Sequence, residues 1–288
     1  MTEGQFAEFF LRQGQRVIET KTCFWYSHRP FLYMSLPYYR AVSPSGSELA
    51  RVLLGGPAAA LRFPTDLDKG PNQIGILVCT DRDYDLGSLH KKSRTATRRG
   101  LESCKVEPFD FAYLAQHGHG LNEETFQRQG RSLQSMTEAQ WRRFCEAASE
   151  MPGFEVWGAW VKGHLASFAV LAFVQGWLFF QWESSATEYL PYNPNNALTF
   201  VVTKSKLSEP RVACVCYGAE SAVTVLLDRY KLRMGYQRKV FGERVVLNPL
   251  LQPMLSLGGR RIIRWAARKR PESQMWQRAS LFLARNGT

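Results

Sequence analysis

With 288 residues, 45% of them hydrophobic, the chain accommodates one large domain or two of ordinary size around a substantial core. Its net charge of +12 asks for an anionic partner, whether nucleic acid, lipid headgroups or a phosphorylated small molecule. The six cysteines include no Cys-x-x-Cys pair, and Met1 to Gln5 show no basic leader before an apolar run; this argues for packing thiols in the reducing cytoplasm and against a secretory signal.

Taken in order, Gly4 to Thr20 contains an amphipathic helix with Phe6, Phe9, Phe10 and Val17 on one side. Thr22–Tyr26 and Phe31–Leu36 read as strands about the turn Ser27-His28-Arg29-Pro30. A short helix over Glu48–Leu54, a strand near Ala60–Phe63 and a strong strand over Gln73–Cys79 follow. Asp85–Cys104 is a basic helix on which Lys91, Arg94 and Arg98, spaced by three and four, share a face. That face is either a solvated surface or a cradle for phosphate or carboxylate. Val106–Pro108 is a short strand, and His117-Gly118-His119-Gly120 reads as a loop without the acidic or thiol neighbours of a metal site. Asn122–Gln129 and Thr137–Glu150 are helices, the second opened by the capping box Thr137-Glu138-Ala139-Gln140.

Leu165 to Trp182 is 18 residues long and carries no charge, which approaches the length of a membrane span. The turn pairs Lys162-Gly163 and Gln175-Gly176, with the β-branched and aromatic content, favour a buried meander: Phe154–Val161, Leu165–Phe173 and Trp177–Glu183. After it come a helix over Asn196–Leu207, a strand over Val212–Tyr217 and a helix over Ser221–Met234. The last carries Ala222, Leu226, Tyr230 and Met234 as a core-facing stripe and ends at Gly235 as a left-handed cap. Tyr236–Leu247 is a strand pair or one long bent strand, stopped by Asn248-Pro249.

Between the meander and the next helix lies Tyr189-Leu190-Pro191-Tyr192-Asn193-Pro194-Asn195-Asn196. A strand that runs into a helix N-terminus makes an anion site, because first-turn N–H groups lack partners. Asn193 is expected to cap that helix by its side chain and Pro194 to take its first position. Asn195 and Asn196 then offer free amides to a donor substrate.

The order helix, three-stranded antiparallel meander, loop, helix, strand, helix, strand resembles the GNAT N-acetyltransferase superfamily. The closer resemblance is to its Fem-type branch of peptidoglycan aminoacyl transferases and related acyltransferases. Three segments carry it: the basic helix Lys91-Lys92-Ser93-Arg94-Thr95-Ala96-Thr97-Arg98-Arg99, the Pro-Asn segment Tyr189–Leu207, and Leu227–Tyr236 followed by Phe241–Leu251 with its Gly-Glu strand and Asn-Pro stop. The superfamily's glycine-rich pyrophosphate loop is absent, and the Pro-Asn loop stands in its place. The resemblance implies an α/β fold with a GNAT-like mixed central sheet flanked by helices, and two GNAT-like lobes as an open alternative. It implies a division into 1–130 (an N-terminal, degenerate GNAT-like lobe), 131–251 (a catalytic lobe) and a basic tail, 252–288. It also implies direct transfer of an acyl or aminoacyl group from acyl-CoA or aminoacyl-tRNA, as a co-substrate and not a resident cofactor, to an amine acceptor.

The residues divide by role on that reading. Tyr217, at the end of a strand bordering the cleft, is placed to protonate a leaving group or to hold the acyl carbonyl, with a rim tyrosine as the plain alternative. Glu183, ending the third meander strand, is the candidate base for the amine, or else a surface carboxylate. Asn193, Asn195, Asn196, Ala197 and Lys231 are the donor contacts; Lys231 serves as well as a solvated cation. Arg94, Arg98 and Tyr192 are the acceptor contacts. No metal ligand set is expected. The chain has no Gly-x-Ser-x-Gly elbow and no Gly-x-x-x-x-Gly-Lys loop, which disfavours a covalent nucleophile and a nucleotide P-loop.

From Gly258 to the end there are eight Lys or Arg against one acid, Glu272, so the tail supplies seven of the net positive charges. Leu255–Arg270 mixes Ile262, Ile263 and Trp265 with basic residues and reads as a basic amphipathic helix. It suits tRNA, an anionic membrane surface or packing on the enzyme, which adds peripheral attachment at the inner membrane face to a cytoplasmic location. A non-enzymatic module that binds nucleic acid or an anionic membrane through 260–270 is the competing function.

Overall fold

The computed structural model describes residues 1–29, 31–130, 136–220 and 225–251, with Trp265, Arg268 and Lys269 beyond them. Helix α1 (Glu3–Arg12) is opened by a capping box between Thr2 and Gln5. It ends before Gly14, which takes φ +81°. Val17, expected on the helix, therefore falls in strand β1 (Val17–Glu19). Next come β2 (Phe24–Arg29), β3 (Leu32–Leu36), α2 (Gly46–Leu54), β4 (Ala60–Thr65) and β5 (Asn72–Cys79). Then follow α3 (Lys91–Ser103), β6 (Lys105–Phe109), α4 (Phe111–Arg128) and α5 (Glu138–Glu150). The meander is β7 (Phe154–Val161), β8 (His164–Val174) and β9 (Trp177–Ser185). The chain continues through α6 (Pro194–Ser208), β10 (Cys214–Ala219), α7 (Val225–Arg233) and β11 (Gln237–Leu247).

These elements form two compact units, one of Met1–Gly14 with Gly75–Val240, the other of Gln15–Ile74 with the described residues from Phe241. The units cut the chain elsewhere than at 130 and 251. The smaller unit has the strand order β1-β2-β3-β4-β11. Strands β2 and β3 are antiparallel, β3 and β4 are parallel through α2, and β4 is antiparallel to β11. Trp25, Tyr33, Val52, Leu61 and Phe63 fill its core. Buried Glu243 takes a 2.6 Å hydrogen bond from Arg62 Nε. At the Asn-Pro stop, buried Asn248 donates through Nδ2 to the carbonyls of Leu53 (2.7 Å) and Ala58 (2.8 Å), which locks the end of β11 to α2 and β4.

The larger unit has the order β5-β10-β9-β8-β7-β6, a mixed sheet in which β9 and β10 are parallel and the other neighbours antiparallel. It follows the same path as the smaller unit: a hairpin, a parallel crossover through one helix, then an antiparallel neighbour. Both hairpin turns of the meander use left-handed pairs, Lys162-Gly163 and Gln175-Gly176, as two-residue turns require. Alternation along β8 sends Phe168 to Trp141 of α5 on one face and Leu171 to the α6 side on the other. Phe6 and Phe9 of α1 join Phe154 and Phe144 on the first face. Among the described residues no helix is long and apolar enough to cross a membrane, and all six cysteines are free and buried.

Four expectations are corrected. The stretch Asp85–Cys104 is not one helix: Asp85 accepts from the N–H groups of Gly87 (2.6 Å) and Ser88 (3.2 Å), which closes a 3-10 turn before α3 begins at Lys91. His117–Gly120 is not a loop but lies inside α4, where Gly118 lets that helix approach α5; a Cβ there would sit 2.8 Å from the Trp141 ring. Leu226 is not on a core stripe, being 78% exposed, and Ala222 lies outside the described residues. Asn193 does not cap α6 by its side chain. It sits at φ +55°, and its Nδ2 turns back to the Pro191 carbonyl (3.3 Å).

Candidate active site

Strands β9 and β10 pair only over Trp177–Phe179 and Cys214–Cys216. Beyond that, both depart from regular register. On β9, Gln181 is the extra residue between the pairs Leu171↔Phe180 and Val170↔Trp182. On β10, the shift lies between Cys216↔Val78 and Ala219↔Ile76, where Gly218 adopts φ +88°. A bulge with a left-handed glycine bends a strand and re-aims its neighbour's side chain. The neighbour here is Tyr217. Its ring stacks on Phe180 at 4.5 Å, and its hydroxyl donates to Glu183 Oε2 across the gap left by the missing pairs.

Helices α6 and α7 supply the rest. Thr199 Oγ1 lies 3.5 Å from the Tyr217 hydroxyl and 3.1 Å from that of Tyr230. Tyr230 donates to the Asn195 carbonyl at 3.1 Å, so Thr199 is left to donate to one of the two phenols. Lys231 is buried; its Nζ lies 5.0 Å from the centre of the Tyr217 ring and 3.8 Å from Asp228 Oδ1. Asn195 donates through Nδ2 to Ser185 Oγ (3.3 Å), while its buried Oδ1 finds no hydrogen-bond partner among the described residues. Tyr236 completes the floor through a 2.6 Å hydrogen bond with Thr203.

Burial sets the electrostatics. Glu183 keeps part of its surface open, yet the protein packed around it desolvates the carboxylate and pushes its pKa up to about 8, against the opposing pull of Lys231. Burial also lowers the pKa of Lys231, with Asp228 and Glu183 working against that fall. Tyr230 is held well above the ordinary phenol value by burial and then by the Glu183 charge. A carboxyl that titrates near neutrality, bonded to a phenol and faced by a buried cation, is equipped to move a proton at a reacting centre.

Of the residues singled out in the sequence, Glu183, Tyr217, Lys231 and Asn195 come together here. Asn196 lies at the edge and donates to Met234 Sδ at 3.5 Å. Ala197 is fully buried against Gly100 of α3. The Asn193 carbonyl takes the N–H groups of Asn196 (3.1 Å) and Ala197 (3.2 Å), and Pro194 has none. Asn195 therefore keeps the one N–H of the first turn without a partner among the described residues. Arg94 spends its guanidinium on the carbonyls of Gly87 (3.0 Å) and Leu89 (3.1 Å). Arg98 is exposed, and Tyr192, half-buried in the preceding 3-10 turn, packs against the apolar core that includes Tyr217 and Tyr236. Thr199, Tyr230, Ser185 and Arg128 were missed. Thr199 follows Asn195 by one helical turn, which was a usable signal. Arg128 reaches Ser185 Oγ (2.9 Å) and Thr187 Oγ1 (2.7 Å) from α4, and nothing local in the sequence announces it. Among the described residues no His, Cys, Asp and Glu side chains converge as a metal would require.

A meander whose third strand parts from the next parallel strand, with a helix crossing between them, decides the fold. The fold is GNAT-type, in its Fem-like form. FemX superposes with a TM-score of 0.61 at 14% identity, covering 88% of this chain and 92% of its own. The C-terminal domain of a protein assigned as a lysylphosphatidylglycerol synthetase from Agrobacterium fabrum gives 0.55 at 11% identity, over 85% of this chain and 87% of its own. A GCN5-related N-acetyltransferase from Kribbella flavida gives 0.51 at 9% identity, over 86% and 94%. No protein-family model and no curated protein sequence matches.

Proposed function

We propose that the larger unit is a transferase that passes an acyl or aminoacyl group from an activated donor, acyl-CoA or aminoacyl-tRNA, directly to an amine. The observation that carries this reading is the Tyr217–Glu183 hydrogen bond across the gap, with buried Lys231 over the phenol. The FemX and acetyltransferase likenesses agree with it in fold. The competing module at 260–270 rests on residues of which only Trp265, Arg268 and Lys269 are described.

The atoms balance without a covalent enzyme intermediate. The amine nitrogen attacks the acyl carbon and forms the new C–N bond. The attacking amine loses a proton to the Glu183 carboxylate, while Lys231 offsets the negative charge on the tetrahedral oxygen. The bond to the leaving sulfur or ribose oxygen breaks, and Tyr217 protonates that atom. The proton on Glu183 then returns to Tyr217 along their shared hydrogen bond, which restores the starting state. Asn195, through its spare N–H and Oδ1, is the group we assign to holding the donor. The first turn of α6 offers one free N–H, which does not fit the pyrophosphate of CoA, so no contact to that group is assigned. The smaller unit, with its matching strand path, is on this reading a reduced GNAT-like lobe. A panel of acyl-CoAs and aminoacyl-tRNAs tests the assignment by melting temperature, since a ligand bound only to the folded state stabilises it. A donor that raises the wild-type melting temperature and fails to raise that of folded Asn195→Ala/Asn196→Ala supports it. No response to any member of the panel refutes it.

A further inference from the structure

Helix α7 turns two unlike faces outward and inward. Inward it presents Lys231 and Tyr230 to the site just described. Outward it presents Val225, Leu226, Arg229 and Leu232, of which Leu226 is 78% exposed, Val225 56% and Leu232 46%. Positions 225, 229 and 232 are four and three apart, so they line one side of the helix, with Leu226 adjoining. Three large aliphatic side chains so exposed on one short helix are unusual for a water-facing surface, where scattered single residues are the rule.

Beside α7 stands α3, tied to it by the His90 N–H donated to the Arg233 carbonyl at 2.9 Å. Its buried side, Ser93, Thr97 and Gly100, is spent on packing, and Gly100 abuts Ala197 of α6. Lys91, Lys92, Arg98 and Arg99 on its other sides are exposed, with Glu102 the one exposed acid of the helix. Arg229 adds a fifth exposed cation from α7. Exposed cations on a helix that adjoins an aliphatic face, with Arg229 on that face itself, complement a surface that is anionic outside and apolar beneath. Nucleic acid satisfies the cations but gives aliphatic side chains nothing to enter, because its outer surface is phosphate and sugar. We propose that the outer face of α7, with the cations of α3, docks the protein on an anionic phospholipid surface. This docking is independent of the transfer chemistry. It also differs from the basic segment at 260–270.

The test is co-sedimentation of the full chain with pure phosphatidylglycerol vesicles and with pure phosphatidylcholine vesicles. Val225→Asp/Leu226→Asp is compared with wild type, and unchanged melting curves confirm that these exposed changes leave the fold intact. The wild type partitions onto phosphatidylglycerol and not onto phosphatidylcholine, and the double variant loses about tenfold or more of that partition. Lys92→Glu/Arg99→Glu lowers it in the same direction and makes what remains less sensitive to added salt. Residues 260–270 are present in every chain compared and set a common baseline. Equal partition of the aspartate variant, equal binding to phosphatidylcholine, or binding to duplex RNA without binding to phosphatidylglycerol each overturns the proposal. Because the readout is vesicle binding, its failure leaves the transferase reading standing.

Discussion

Replacing Glu183 by Gln isolates the most perturbed carboxyl of the site. Its pKa rises from the ordinary 4.5 to about 8, chiefly by desolvation. Between those two values the unfolded chain has released the proton and the folded chain has kept it. The native state therefore binds more protons there, and stability falls as pH rises through that window. The stabilising contribution is complete below about pH 4.5 and lost above about pH 8. A displacement of that size corresponds to at most about 5 kcal/mol, and partial exposure to water reduces it to roughly 2 kcal/mol. Glutamine keeps an oxygen that accepts from Tyr217 and does not titrate. The variant should thus gain on wild type as pH increases, by roughly 4–8 °C in melting temperature between pH 5 and pH 9. Thermal denaturation of both proteins across that range measures it. A difference in melting temperature that stays constant with pH would refute a desolvated Glu183.

The other predictions concern single contacts. Lys231→Met removes the buried cation over Tyr217, and transfer should fall by about a hundredfold or more, as it does when an oxyanion donor is lost; kinetics with a responsive donor check this. Gly100→Ala places a Cβ 2.7 Å from the Asn193 carbonyl oxygen and 3.1 Å from Ala197 Cβ. It should cost about 1–3 kcal/mol in urea denaturation by forcing α3 away from the start of α6. Asn248→Ala leaves the Leu53 and Ala58 carbonyls without their side-chain donor, for a loss of about 1–3 kcal/mol read from the same denaturation.

What the sequence made legible was local. Lys162-Gly163 and Gln175-Gly176 announced the hairpins because two consecutive left-handed residues need that chemistry. Pro194 marked the first turn of α6 and Thr137 the start of α5. Glu183 and Tyr217 were singled out because each was expected to end its strand; β9 and β10 run on two residues further, to Ser185 and Ala219. The errors arose where a distant partner overrides local preference. Gly118 and Gly120 look like loop residues until Trp141 of α5 needs the room. Leu226 has core spacing and no core to face. Asn193 is a good cap by type, but the turn before it forces a left-handed backbone that points its amide away from α6. The Thr199–Tyr230–Asn195 network joins residues 31 and 35 positions apart, which no local pattern encodes.

The central claim is that Tyr217 and Glu183 together pass the amine's proton to the leaving group. A single-turnover measurement of labelled acyl transfer to an amine by wild type and by Tyr217→Phe addresses it most directly. Phenylalanine preserves the stack on Phe180 and removes the hydroxyl with its bonds to Glu183 and Thr199, so a fall of about a hundredfold or more in the transfer rate is expected from a protein that stays folded. Equal transfer by the two proteins would contradict it.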